Sequence, residues 1–538
     1  MNLNTRPRRP SFLSGVSILT ISAVLVKIIG LLYRIPMLNL LGTEGMGYFN
    51  TAYELYAFFC VVSTAGLPVA MSVLISTLEA AGRREDTERV YRVALGLFAI
   101  IGGVGTSLLW GLSKPFASLL GNPWAAVCMR AVAPTVLLVC LSSAFRGYFQ
   151  GHRNMLPTAL SQVIEAGGKL FLGLAFAGYA RRTGADLATT AAYAILGLTV
   201  GTGVSMVYLL IHKRMARRRE TGIADGSLSP AKKGKDAILR PLLATAVPVT
   251  LSAGVISLTK CVDLGIILRR LQTVGYTAAE ANALYGCYST LAVPVFNIIP
   301  SLTTSVALSA VPALSAALQK GREGEAELRK TAASALRLTM LAAIPASVGV
   351  AVYAADILQL LFSGQPDAVA TAAPWLSCLG LSIPAACLIT VTGAMLQAAG
   401  KANRPVISMM AGVACKVVLA YFLLGTEKWG MMGVPVSSLV CDTVIVLVNL
   451  CFVARHAPAM LPTFKENLTC FGIPALLSIG AVAVVRLLRS LLGWEAVTPL
   501  HTLCTVICVA CLYGAGLLVV YGRSLRESRP ALSGRPEI

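Results

Sequence analysis

Long apolar runs alternate with short polar segments along the whole chain. A membrane-spanning helix needs about 20 largely apolar residues, and runs of that length recur from end to end. The pattern predicts an all-α integral membrane protein of about fourteen transmembrane helices. The predicted spans are residues 13–38, 49–78, 93–113, 124–145, 157–179, 188–211, 241–268, 284–318, 331–354, 369–397, 405–424, 431–454, 467–488 and 499–521.

Composition agrees with this pattern. The 538 residues are 56% hydrophobic and only 13% charged, and their mean hydropathy is +0.74. Soluble domains carry about 25% charged residues. The net charge of +21 would suit nucleic acid, but the basic residues sit in short loops between apolar runs, as membrane topology requires. We therefore expect contact with membrane lipids and no nucleic-acid partner.

Basic residues gather in alternate loops, which predicts the orientation of the chain. These loops become cytoplasmic under the positive-inside rule. Both termini are then cytoplasmic, which requires an even number of spans. The basic groups are Arg6, Arg8 and Arg9, residues 83–92, the segment 212–240, residues 320–330, Lys401 with Arg404, and the tail from Arg523.

The polar segment 213–240, with Gly222, Gly226, Pro230 and Gly234, reads as a linker. It divides the chain into an N-terminal lobe at 1–212 and a C-terminal lobe at 241–456. Two further helices at 466–522 and a cytoplasmic tail at 523–538 complete the predicted organisation.

A faint repeat relates the two lobes. Matching residues recur at two constant offsets, and six spans per lobe make the repeats parallel, related by an axis along the membrane normal. The matches are Tyr48, Val69, Ala70 and Ser72 with Tyr285, Val306, Ala307 and Ser309, and Gln150 and Lys169 with Gln397 and Lys416.

Charged residues inside spans mark the candidate site, because each costs about 2.5–3.5 kcal/mol on insertion scales and usually faces a cavity or a partner. Three local pairings remain open as alternatives: Glu165 with Lys169, Lys260 with Asp263, and Lys416 with Asp442. Arg34 could also snorkel to the surface. The candidate substrate-binding residues are Lys27, Arg34, Lys169, Lys260 and Lys416, and the candidate coupling or charge-pair residues are Glu165, Asp263 and Asp442.

The surplus of cations over acids predicts an anionic substrate, and a lipid diphosphate is the natural anion in a membrane. Cys504, Cys508 and Cys511 share one helical face, but with no histidine or carboxylate among them we interpret them as packing residues. We find no catalytic arrangement, so we expect neither an enzyme nor a metal or cofactor.

Several motifs carry a resemblance to a known family. They are Lys27-Ile-Ile-Gly-Leu-Leu-Tyr-Arg34, Leu41-Gly-Thr-Glu-Gly-Met-Gly-Tyr48, Gly66-Leu-Pro-Val-Ala-Met-Ser72 and Phe145-Arg-Gly-Tyr-Phe-Gln-Gly151. Over residues 10–520 the chain resembles the stage V sporulation protein B and MurJ-like flippases. These form the polysaccharide-biosynthesis branch of the multidrug/oligosaccharidyl-lipid/polysaccharide exporter superfamily.

The resemblance implies two six-helix lobes, two extra helices, and alternating access that moves an undecaprenyl-diphosphate-linked saccharide to the outer leaflet. It implies that Lys27 and Arg34 line a cavity and hold the diphosphate. It also implies a bacterial cell membrane, a monomer, cell-wall synthesis proteins as further partners, and a role in wall, spore cortex or polysaccharide synthesis.

The chain departs from the family at two places. Lys27 stands where the family often has arginine, and residues 288–291 lack the arginine that some lipid II flippases carry there. The resemblance therefore does not specify lipid II as the cargo. One alternative function is a drug/cation antiporter of the same superfamily, which would need acids in its cavity. A second is a polyprenyl-sugar ligase, which would need a large outer loop. A third is a scaffold without transport.

Overall fold

The computed structural model describes residues 12–220, 235–426, 428–492 and 499–527, which are almost entirely helical and contain no strand. Arg6, Arg8 and Arg9, residues 221–234 of the linker, and the tail beyond residue 527 lie outside this range. At those places the distribution of basic residues is known from the sequence alone.

Contacts divide the chain into two compact units, at Met1–Gly286 and Cys287–Ile538. The helices of the first unit are α1 (Phe12–Thr64), α2 (Leu67–Ala80), α3 (Arg84–Gly111), α4 (Ser113–Leu119), α5 (Ala125–Gly151), α6 (Leu156–Arg182), α7 (Leu187–Glu220), α8 (Lys235–Thr273) and α9 (Ala278–Cys287), which ends at the boundary.

The described residues of the second unit form helices joined by short turns. Its helices are α10 (Val293–Phe296), α11 (Ile298–Gln319), α12 (Glu325–Val352), α13 (Ala354–Leu361), α14 (Pro366–Ala398), α15 (Arg404–Leu424), α16 (Gly433–His456), α17 (Phe464–Asn467), α18 (Ile473–Leu491) and α19 (Pro499–Glu527). Its core is built from α11, α12, α14 and α16 around buried side chains such as Leu314, Leu336 and Met395.

The prediction of an all-α membrane protein is confirmed. Twelve stretches of the described residues are long and apolar enough to span a membrane. The first of them, Ile21–Ala80, covers two predicted spans. The predicted span 241–268 falls on α8, which packs against α1 and α2 in the first unit. The division into two six-helix lobes and two extra helices stays a prediction.

The first two predicted spans differ in detail from the structure. The sequence suggests a loop between residues 38 and 49, whereas α1 continues to Thr64 and is broken only at Gly42, with φ 63 and ψ −177. This backbone region is open essentially to glycine alone, because a side chain there meets the flanking carbonyl. A single glycine therefore breaks the helix at the place where the sequence suggests a loop.

Replacing Gly42 with alanine is expected to cost about 1–3 kcal/mol of stability. Beyond the adjoining backbone, a Cβ at this position would meet no atom within 4 Å, so the cost would come from the backbone conformation alone. Gly30→Ala is the matched control on the same helix, because Gly30 has equal space and no positive φ. Thermal unfolding in detergent compares them, and equal melting temperatures would contradict the backbone argument.

Two long predicted spans, 284–318 and 467–488, are interrupted by a π turn. The turns are Tyr288–Ala292 and Leu468–Gly472, and in each case the next helix has proline at its second residue, Pro294 or Pro474. Proline lacks the N–H that would continue the helical hydrogen bonds. The interrupted hydrogen-bond pattern explains why these spans are not continuous α-helices.

The turn between α5 and α6 matches the turn between α14 and α15 at the predicted offset. Arg153 N–H donates to the carbonyl of Gln150 at 2.9 Å, and Gly400 N–H donates to that of Gln397 at 3.0 Å. Both turns hold a left-handed residue, with φ 59 at Arg153 and 72 at Gly400. The matched turns support the repeat, which stays a prediction because it concerns the whole lobes.

Candidate functional site

Lys169, on α6, lies in an aromatic cage formed by residues of α1. Its Nζ is 4.3 Å from the ring centre of Tyr53, 5.0 Å from that of Tyr33 and 5.6 Å from that of Phe49. All three distances fall within the range of favourable cation–π contact. The kink at Gly42 allows both segments of α1 to contribute a ring, Tyr33 before it and Phe49 and Tyr53 after it. The cage fixes the ammonium group without neutralising it.

Glu165 pairs with Arg146 and not with Lys169. Arg146 Nη2 lies 2.8 Å from Glu165 Oε2, and Arg146 Nε donates to Ser161 Oγ at 2.9 Å. The side chains are only 13% and 20% exposed, so the pair is largely removed from solvent. Glu165 therefore forms its ion pair with Arg146, and its charge interacts with Lys169 only through space. Sequence reasoning missed Arg146 as a site residue because it follows the predicted end of the span at residue 145.

Arg34 is a second cation in this region and is half-buried on α1. It interacts electrostatically with Lys169, Tyr53 and Glu54. Glu54 is a second residue that sequence reasoning missed, although it lies inside the predicted span 49–78. We define the α1/α6 cationic cluster as the set Arg34, Glu54, Arg146, Glu165 and Lys169.

The α1/α6 cationic cluster has a formal surplus of one positive charge, because three cations face two carboxylates. One carboxylate, Glu165, already holds Arg146. Like-charged groups near one another in a poorly solvated region repel, and an incoming anion relieves that repulsion. The arrangement is suited to receive a phosphate or diphosphate group.

Two of the remaining candidates of the first unit, Lys27 and Lys260, are more exposed. Lys27 is exposed on α1 and has no ion-pair or hydrogen-bond partner among the described residues. Lys260 is exposed on α8, and Asp263 one turn later is half-buried. Cys261 Sγ contacts the carbonyl of Glu54 at 3.7 Å, which brings this part of α8 against α1 near the cluster.

Lys416 and Asp442 are brought together in the second unit. They lie on α15 and α16, which pack side by side, and the two charges interact electrostatically. The hydroxyl of Ser382 on α14 donates a short hydrogen bond to Asp442 Oδ2. This second group of charges is balanced, unlike the cluster of the first unit.

These helices and intramembrane charges define an all-helical integral membrane protein. The chain belongs to the polysaccharide biosynthesis protein family, whose model matches residues 12–318. A second model, MatE, matches residues 289–422. The family that the sequence motifs resemble is therefore confirmed.

Individual relatives agree with this assignment. Stage V sporulation protein B of Bacillus subtilis (strain 168) is 23% identical over 91% of this chain and 93% of its own. Lipid II flippase MurJ of the same organism is 24% identical over 76% of each chain.

Solved structures show the same fold. An inward closed structure of lipid II flippase MurJ aligns with a TM-score of 0.70 at 14% identity, over 95% of this chain and all of that one. An inward-facing multidrug resistance MATE family transporter aligns with a TM-score of 0.60 at 17% identity, over 80% of this chain and 98% of that one.

Proposed function

We propose that this protein is a flippase that moves an undecaprenyl-diphosphate-linked saccharide from the cytoplasmic to the outer leaflet of the bacterial cell membrane. The observation that supports this proposal most strongly is the α1/α6 cationic cluster, whose surplus positive charge lies within the membrane-spanning helices. The family membership and the names of the relatives support the substrate class. The protein transports its substrate and does not transform it.

In the proposed mechanism Lys27 and Arg34 contact the diphosphate from α1, and Lys169 adds a third cation from α6. The rings of Tyr33, Phe49 and Tyr53 hold the Lys169 ammonium in place before the substrate arrives. Arranging the charges beforehand lowers the ordering cost of binding. Lys260 and Lys416 provide further cations along the route of the saccharide lipid.

The acids have a different proposed role. Glu165 keeps Arg146 oriented, while Asp263 and Asp442 are coupling or charge-pair residues. The Asp442 carboxylate, held by Ser382 and close to Lys416, is suited to exchange a proton or cation as the transporter alternates between inward and outward access. The proposal includes a monomer that works beside cell-wall synthesis proteins.

The proposed topology has both termini in the cytoplasm, fourteen spans, lobes at 1–212 and 241–456, the linker 213–240, helices at 466–522 and a tail at 523–538. Reporter domains fused after residue 219 and after residue 526 should both report a cytoplasmic location, because the surrounding segments are basic. An extracytoplasmic signal at either fusion would contradict this topology.

Depletion of the protein tests the proposed function. The expected result is accumulation of a polyprenyl-diphosphate-linked saccharide, identified by mass spectrometry of the lipid extract, because its carrier would no longer cross the membrane. Re-expression of the protein should restore the normal amount. Unchanged lipid-linked precursors after full depletion would overturn the proposal.

A drug/cation antiporter is the second candidate function, favoured by the MatE match over residues 289–422. It would use Asp442 to hold a proton or sodium ion. Efflux of a fluorescent cationic dye from cells distinguishes the two functions. The flippase proposal predicts no change in dye efflux when Asp442 becomes asparagine, whereas an antiporter would lose it.

A further inference from the structure

A cavity of about 700 Å³ in the second unit opens beside the first turns of α12 and the segment that leads into α18. It is separate from the groups that the proposed function uses. Polar and charged side chains line it on two sides. Those used below are Arg329, Lys330, Ser334 and Arg337 on α12, and Glu466 and Thr469 on the opposite segment.

The α12 side chains form one ridge, because residues spaced by four share a helical face. Arg329, Lys330 and Ser334 are exposed at the cavity, and Arg337 lies two turns deeper and half-buried. A ligand in the cavity would therefore meet guanidinium and ammonium donors along one wall, whereas the Ser334 hydroxyl already donates to the Lys330 carbonyl at 2.7 Å. This donor set matches the oxygens of a phosphate group.

Glu466 faces this wall but is held by its own segment. Its Oε2 accepts from the Thr463 N–H at 2.6 Å and from the Thr463 hydroxyl at 2.7 Å. These bonds, with a smaller contribution from Arg329, lower the pKa of Glu466. Glu466 therefore stays ionised and fixed without help from α12.

The contact of Arg329 with Glu466 is weak by comparison. Arg329 Nε lies 3.4 Å from Glu466 Oε2, and the side chains are 45% and 32% exposed. Ion pairs with such exposure contribute about 0–1 kcal/mol. Arg329 can therefore turn to a phosphate at little cost, and Glu466 keeps its Thr463 bonds.

The cavity lies at the membrane–water boundary. The candidate spans Glu325–Val352 and Leu468–Leu491 both begin at its rim. Apolar side chains beside it face outward, with Phe464 85% exposed and Leu338 and Leu468 more than half exposed. Charged donors with adjoining exposed apolar groups suit an amphiphile whose head enters the cavity and whose chains stay in the bilayer.

The charge of the cavity distinguishes two lipids that could supply the phosphate, a membrane phospholipid and a polyprenyl diphosphate. Arg329, Lys330 and Arg337 face Glu325 and Glu466, so the formal surplus is one positive charge. A phosphodiester carries one negative charge, whereas a polyprenyl diphosphate carries more. The balance favours a membrane phospholipid over the transported lipid.

We propose that this cavity binds the phosphodiester headgroup of an anionic phospholipid from the surrounding leaflet, with its acyl chains along Phe464, Leu468 and Leu338. The site is distinct from the α1/α6 cationic cluster and does not depend on the proposed function. Bound lipid would tie the start of α12 to the segment that leads into α18.

Native mass spectrometry of the delipidated full-length protein tests the proposal. Phosphatidylglycerol, phosphatidylcholine, undecaprenyl diphosphate and inorganic phosphate are added separately. We expect phosphatidylglycerol to bind at least about tenfold more tightly than phosphatidylcholine, because only it brings a net charge to the donors. The double variant Arg329→Gln, Lys330→Gln should lose that preference.

Two further variants make the result specific to the cavity. Lys320→Gln is the matched control, because Lys320 is an exposed neighbour that pairs with Glu327 at 2.6 Å and does not line the cavity; it should keep the preference. Ser334→Leu should lose it while retaining every charge, because leucine fills space at the wall. This variant also gives a readout if the double variant folds poorly.

Several outcomes would overturn the proposal. One is an unchanged lipid preference in both the double variant and Ser334→Leu. Another is binding of phosphatidylcholine or of inorganic phosphate that is as tight as binding of phosphatidylglycerol. The last is tighter binding of undecaprenyl diphosphate than of phosphatidylglycerol, if the same variants abolish that binding. None of these measurements uses transport, so their failure is separate from failure of the proposed flippase function.

Discussion

Replacing both Arg34 and Lys169 with alanine is expected to reduce flippase activity at least about 100-fold, because each would remove a charged contact worth about 1.5–3 kcal/mol. Complementation of a depleted strain, with the protein level checked by immunoblot, measures this loss. The double variant should still insert, because removing charge from membrane-spanning helices lowers the cost of insertion.

The single variants refine this result. Lys169→Arg and Lys27→Arg should retain function because the charge remains, whereas Lys27→Ala should weaken it and Lys27→Glu should abolish it by repelling the diphosphate. Lys114→Ala is the matched control, since Lys114 is an exposed lysine on the short helix α4. Full activity of the Arg34, Lys169 double variant at normal expression would refute the assigned role of the α1/α6 cationic cluster.

Glu165→Ala is expected to destabilise the protein by about 3 kcal/mol, because Arg146 would be left without its carboxylate in a largely desolvated position. The partial exposure of the pair places this expectation at the lower end for buried ion pairs. Thermal unfolding in detergent measures the loss as a lower melting temperature.

A second substitution separates the ion pair from simple packing. Arg146→Met combined with Glu165→Met should recover most of the lost stability, because apolar side chains of similar length replace both charges. Asp367→Ala is the control for removal of an acid, since Asp367 is exposed in the first turn of α14. A double variant no more stable than Glu165→Ala would show that the pair itself does not account for the effect.

The helices could be predicted from the sequence because membrane spans depend on length and hydropathy alone. Their breaks were harder to predict. A glycine in a motif gives no sign of its φ, so the sequence predicts a loop where the structure has the kink at Gly42. Pro294 and Pro474 were visible in the sequence, but the π turns before them depend on which backbone groups neighbouring helices can satisfy.

The site was predictable as a list of charges and not as a set of contacts. Lys169 was identified because a lysine inside an apolar run is conspicuous. Its cage was not, because Tyr33, Phe49 and Tyr53 belong to a different helix and look like ordinary apolar positions. Glu165 forms its ion pair with Arg146 because of the way α5 and α6 pack. The spacing of residues along one helix does not determine that packing.

Translocation by purified protein in vesicles tests the central claim most directly. A fluorescent undecaprenyl-diphosphate-linked disaccharide is placed in both leaflets, and a membrane-impermeant quencher reports how much reaches the outer surface. The account predicts that vesicles with the protein expose nearly all of the probe, whereas vesicles with the Arg34→Ala, Lys169→Ala variant match protein-free vesicles. If vesicles with the unaltered protein exposed the probe no faster than protein-free vesicles, this result would contradict the proposed function.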